Sequence, residues 1–148
     1  MITKDQMMEE LLLVVPSFRP EWEEFLEYWK ETDDPPLYLP IGNLAHHLVN
    51  MLERKETETF PAVFEVVERL LIEGEHFVQE TTIIGFLEKI QRWNFHKTTK
   101  PRQFEPFFGS KTLYFWEELY KYWERIYETK KDGSMNLNSR ELPQKDNL

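Results

Sequence analysis

Four histidines, four serines and a large excess of carboxylates are the groups on this chain that could do chemistry; among its 148 residues there is no cysteine. His46 and His47 are neighbours, so on a helix their side chains diverge by about 100° and do not readily serve one metal ion. The pair reads more naturally as solvated or half-buried side chains. Glu73 and His76 have the Glu-x-x-His spacing of dinuclear carboxylate sites. Such sites need the motif on two helices with further glutamates, and here Gly74 interrupts the helix between the two residues. His76 and Glu80, four apart, match an ordinary pair on a helix surface. No metal and no other cofactor is therefore expected.

Nucleophilic and acid–base chemistry are equally short of parts. Ser17, Ser110, Ser134 and Ser139 all lie outside any Gly-x-Ser-x-Gly turn, and no glycine-rich phosphate loop is present. Glu23, Glu24 and Glu27 are close enough in sequence to form an acid–base pair, but such a pair needs one buried member with a raised pKa, and these three fall on a charged face. The one basic cluster, His96 to Arg102 (HKTTKPR), is flanked by Phe95 and Phe104, a combination that can contact phosphate and stack on bases. A formal charge of −9 and the lack of further basic residues at helical spacing argue against nucleic acid as the partner. The cluster is expected to pair with the acidic half of the chain or with solvent.

The elements that must position these groups are helices. Apolar residues recur at three-and-four spacing in five or six segments and nowhere sustain an alternation, which predicts an all-α fold, either a compact antiparallel bundle or a HEAT-like stack. The first helix is expected after Thr3, with Met7, Met8, Leu11, Leu12 and Val15 inward and Pro16 as its stop. In the second, from Pro20, Trp22, Phe25, Leu26 and Trp29 share one side, and Glu23, Glu24, Glu27 and Glu31 face out. Thr32 to Pro40 (TDDPPLYLP) is predicted as a stiff loop. A third helix follows from Ile41 and a fourth from Thr59 to Gly74. The fifth runs over roughly Glu75 to Asn94, with Gly85 permitting close helix contact. Phe95 to Gly109 is read as an irregular crossing with aromatic anchors. The last helix is capped by Ser110 or Thr112 and carries Leu113, Trp116, Leu119, Tyr120, Trp123, Ile126 and Tyr127. Residues 1–129 form one expected domain, and 130–148 are expected to be a mobile polar tail.

Charge is segregated along this scaffold. The first eighty residues hold 18 acidic against 6 basic side chains, a net of −12, and the remainder hold 9 against 12, a net of +3. Such a field predicts steering toward a basic partner, although it does not name one. No run is long or apolar enough for a signal peptide or a membrane span, and the absence of cysteine fits a reducing cytoplasm.

Three stretches resemble an uncharacterised bacterial all-helical family that is similar to immunity proteins encoded beside polymorphic or contact-dependent toxins. They are IGNLAHHLVNMLE from Ile41, IIGFLEKIQ from Ile83 and FFGSKTLYFWEELYKYW from Phe107. That family's helix reads Phe-Leu-Glu, kept here as Phe86, Leu87 and Glu88. Its later Leu-Gly-Pro-Ser turn and Trp-rich helix correspond to Gly109, Trp116 and Trp123, with Phe108 and Ser110 flanking the glycine and no proline. The resemblance implies a non-catalytic protein that binds and neutralises a cognate toxin. On this reading the toxin is basic, a nuclease for example. The steering face is Glu23, Glu24, Glu27 and Glu31, extended by Asp33 and Asp34. Leu37 and Tyr38, on the proline-stiffened loop, are the candidate apolar anchors, and burial in the protein's own core is an equal alternative for each. Two rival readings are a helical adaptor for another intracellular partner and an enzyme with an unrecognised carboxylate site.

Overall fold

The computed structural model describes residues 1–131, and these fold as an all-α protein. Helices α1 (Lys4–Val14) and α2 (Arg19–Tyr28) are joined by a 3-10 turn at Pro16–Phe18, followed by α3 (Tyr38–Glu53) and α4 (Phe60–Glu73). Residues 76–90 form one continuous helical segment with three parts: α5 (His76–Glu80), a π-helical stretch (Thr81–Leu87) and α6 (Glu88–Ile90). The crossing that follows carries 3-10 turns at Trp93–Phe95 and Pro101–Phe107 and leads into α7 (Ser110–Lys131). The predicted mobile tail lies outside the described residues from 132 onward, while α7 includes Lys130 and Lys131.

α4 is the centre of the molecule. Its apolar stripe, Val63, Phe64, Val67, Leu70 and Leu71, is buried against α1 on one side and α7 on the other, and Phe64 packs with Phe86, Phe104 and Phe108. α3 lies closely along the π-helical stretch through Ile41, Leu44 and Leu48. Gly85 lies where the two segments approach: a Cβ there would stand 3.4 Å from the Ile41 side chain and 3.5 Å from the Tyr38 ring, ordinary contact distances that do not themselves require glycine. The π geometry is explicit in the amide of Glu88, which donates to the carbonyl of Ile83 five residues back. At its start the Thr82 hydroxyl donates to the Val78 carbonyl at 2.7 Å, an acceptor that an α-helix would offer to the Thr82 amide.

The predicted boundaries shift in two places. α3 begins at Tyr38, three residues earlier than expected, because Pro40 falls in its first turn, where a missing amide proton costs nothing. The helix after Gly74 ends at Ile90 rather than near Asn94. The end of α3 is closed by Lys55, in the left-handed region at φ 62°, with the Glu56 amide donating to the Met51 carbonyl and the Lys55 amide to Leu52.

Three glutamates act as caps across long sequence separations. Glu75 accepts the Lys4 amide at the start of α1, at 2.8 Å. Glu68 of α4 accepts the amides of Lys111 and Thr112 and the Thr112 hydroxyl at the start of α7, at 2.9, 2.8 and 2.7 Å. Glu53 of α3 gathers the amides of Lys97, Thr98 and Thr99 together with both threonine hydroxyls. Glu53 and Glu68 thereby hold the two ends of the irregular crossing. The predicted caps, Ser110 and Thr112, give way to Glu68, which reaches the helix end because residue 109 is glycine. A Cβ at Gly109 would lie 2.5 Å from the Glu68 carboxyl carbon.

Candidate functional site

α2 differs from every other long helix in burying none of its residues fully. Trp22, Phe25 and Trp29 are half-buried and form a ladder, with Trp22 stacked on Phe25 at 5.4 Å and Phe25 tilted against Trp29 at 6.3 Å. Leu26, expected on the inward side, is exposed at the edge of that ladder. The opposite side of the helix carries Glu23, Glu24 and Glu27 around a shallow depression completed by Pro20 and Tyr28, and Tyr28 is 80% exposed.

All six carboxylates of the predicted steering face are exposed. Glu27 pairs with Lys30 at 2.7 Å and Asp34 with Lys4, whereas Glu23, Glu24, Glu31 and Asp33 carry no ion pair among the described residues. The face has two parts. The glutamates of α2 surround Tyr28, and Asp33 and Asp34 stand at the rim of a cleft of about 300 Å³ between α1 and α2, over Met8, Trp22 and Phe25.

The two predicted anchors separate. Leu37 is 7% exposed and belongs to the hydrophobic core, so it takes the burial alternative and is corrected as a docking residue. It is the residue before α3 and lines the floor of the cleft between α1 and α2, beside Met8, Trp22 and Phe25. Tyr38 is 40% exposed but leans on the Gly85 face of the π-helical stretch. Burial chiefly raises its phenol pKa, with the charges of Glu88 and Glu80 adding to the effect. The more accessible aromatic is Tyr28, whose position on the charged side of α2 was legible from the helical repeat.

The groups considered for chemistry serve the fold. The His47 ring meets the Ser17 hydroxyl at 2.8 Å, and burial lowers its pKa. His46 stacks on Phe95 at 4.9 Å. His96, its pKa also lowered by burial, bridges Thr99 and the Ile90 carbonyl, so hydrogen bonds run from Glu53 through Thr99 to this ring. His76 is 92% exposed and faces Glu80 at 3.5 Å. No group of three or more potential metal-binding side chains occurs among the described residues. Within the basic cluster Arg102 is turned inward onto Glu105 and Glu117, with its guanidinium 4.5 Å above the Tyr120 ring, which leaves Lys97 and Lys100 as the exposed cations.

Sequence reasoning did not find a second cleft, between α7 and the π-helical stretch, into which Glu88 projects. Its walls come from segments about thirty residues apart that meet only in the folded chain. No helix among the described residues is long and apolar enough to cross a membrane.

No curated protein and no solved structure matches this chain. A family model does match, over residues 8–124, from the middle of α1 to well inside α7, and so across α2, the loop behind it and the cleft between α7 and the π-helical stretch. The chain belongs to that family, the domain of unknown function DUF7674.

Proposed function

We propose that the protein is a non-catalytic binding module of the immunity type, which docks a basic toxin domain on the α2 face and holds it inactive. The observation that carries this reading is the pairing of two properties in α2: it gives its own core no fully buried residue, and of its exposed carboxylates Glu23 and Glu24 have no ion pair among the described residues. A helix that contributes little to folding yet concentrates charge is suited to meeting a partner. Complementary charge raises the encounter rate, and one exposed aromatic ringed by polar groups can supply a desolvated anchor. Tyr28, between Glu23, Glu24 and Glu27, has that environment and replaces Leu37 in this role.

Co-expression with the adjacent open reading frame tests the biology. Loss of growth without this protein and rescue with it support immunity, and normal growth in both cases supports the adaptor reading instead. With the partner in hand, replacing Glu24, Glu27, Asp33 and Asp34 by their amides slows association and flattens its salt dependence, while Tyr28→Ala mainly accelerates dissociation. Unchanged kinetics in both variants remove the α2 face as the docking surface.

A further inference from the structure

A cleft of about 450 Å³ opens where α7 crosses the π-helical stretch. Ile83 and Ile84 form one wall, and Phe115, Leu119 and Trp123 form the other. Two carboxylates reach it, from Glu88 and Glu118. Glu118 is engaged by Lys121 at 3.2 Å at the rim, whereas Glu88, half-buried, has neither an ion pair nor a side-chain hydrogen bond among the described residues. Its cationic neighbours point elsewhere. Lys89 runs along α3, where its Cε would sit 3.6 Å from a Cβ at Gly42, and Arg92 is not among the residues lining the cleft. Tyr38 is the remaining titratable group that feels the Glu88 charge.

We propose that this cleft binds a small organic cation, an ammonium group carried on a flat apolar body. The volume falls in the usual range for small-molecule sites, roughly 300 to 1,000 Å³. The walls suit an apolar body, and Phe115 and Trp123 supply aromatic rings that can attract a cation. Glu88 supplies an ionic contact that it does not make within the described residues, and Glu118 excludes anions from the mouth. Burial pushes the Glu88 carboxyl up, a push that Arg92 and Lys89 offset only in part, so the free site binds a proton more readily than a surface carboxylate and a cationic ligand displaces it. The π-helical stretch makes the geometry possible, because its wide turn brings Ile83, Ile84 and Glu88 to one side of the segment. None of these residues belongs to α2 or the loop behind it, so the inference stands apart from the proposed docking face.

Calorimetric titration of the full chain with phenethylammonium, with phenethyl alcohol as the neutral counterpart and hydrocinnamate as the anionic one, tests it. The ammonium is expected to bind at least about tenfold more tightly than the alcohol, and the anion not at all. Its affinity rises with pH as Glu88 loses its proton. Glu88→Gln makes the ammonium and the alcohol equal and removes the pH dependence. Ile84→Trp, which fills the cleft from an exposed rim position, abolishes binding of both while the helical circular dichroism is unchanged. Equal affinity of the wild type for ammonium and alcohol, a preference that survives in Glu88→Gln, or no binding of any of the three at millimolar concentration overturns the proposal.

Discussion

α2 and α4 share a layout and are opposite in use. Each starts with proline in its first turn, carries an apolar stripe and presents glutamates on the other side. α4 buries seven residues and places Glu68 where the amides of α7 need an acceptor. α2 buries none, and among the described residues its glutamates meet one lysine, Lys30. The difference is one of position in the packing. A carboxylate that already has internal amides to accept is committed to the fold, and one without them is available to something outside it.

The comparison is broken most forcefully at the stripes themselves. Phe64→Ala in α4 is expected to cost about 3 to 5 kcal/mol in chemical denaturation, since the ring is fully enclosed. Trp22→Ala in α2, although it removes a larger side chain, is expected to cost about 2 kcal/mol or less. Equal losses would mean that α2 belongs to the core after all. Next in size is the cap: Glu68→Ala leaves the Thr112 amide and hydroxyl unsatisfied and should cost roughly 2 kcal/mol. Gly109→Ala should reproduce part of this loss by displacing the same carboxylate.

Acid titration sharpens the contrast further. Burial works to raise the Glu68 pKa, but the hydrogen bonds from Thr112 and Lys111 outweigh it and the net shift is downward; for Glu53 the hydroxyl and amide bonds of Thr98 and Thr99 hold the carboxyl well below the usual carboxylate range. Groups with a depressed folded-state pKa stabilise the protein above their unfolded pKa, and that contribution is lost only as pH falls through the lower folded value. Protection of the Lys97 to Thr99 and Lys111 to Thr112 amides from hydrogen exchange should therefore persist below the usual carboxylate range and be lost only in stronger acid. In Glu53→Gln and Glu68→Gln the acid dependence should disappear. The smallest effect is reserved for α2: Glu23→Gln, Glu24→Gln and Glu27→Gln together should change stability by no more than about 0.5 kcal/mol.

How far the chain could be read in advance follows the same division. The stripes of α1, α3 and α4 were legible because burial on one side of a helix leaves a periodic trace, that of α7 only at its centre, since Trp116, Leu119 and Tyr120 are buried but Leu113 and Tyr127 are exposed, and the exposure of the α2 glutamates followed from the same repeat. Leu26 was misplaced because a helix that lies only lightly on its neighbours leaves part of its apolar side in solvent. Tyr38 was assigned to the loop because Pro40 reads as a breaker unless the first turn is recognised. The caps by Glu53, Glu68 and Glu75 left no local trace, since each joins residues more than forty positions apart. Nor did the cleft beside Glu88, which depends on the π geometry as much as on the residues that line it.

That geometry has a bearing on how the segment tolerates changes of length. A π turn accommodates about one residue more than an α turn, so removing a single residue between Thr81 and Leu87 would let the backbone relax into an ordinary helix without disturbing α4 or α7. The flanking segments would keep their orientation, and the change would be confined to the cleft, where Ile83 and Ile84 would move relative to Glu88. The same deletion in α4 would wreck the core, whereas here it would be a tolerated edit that silently erases a pocket.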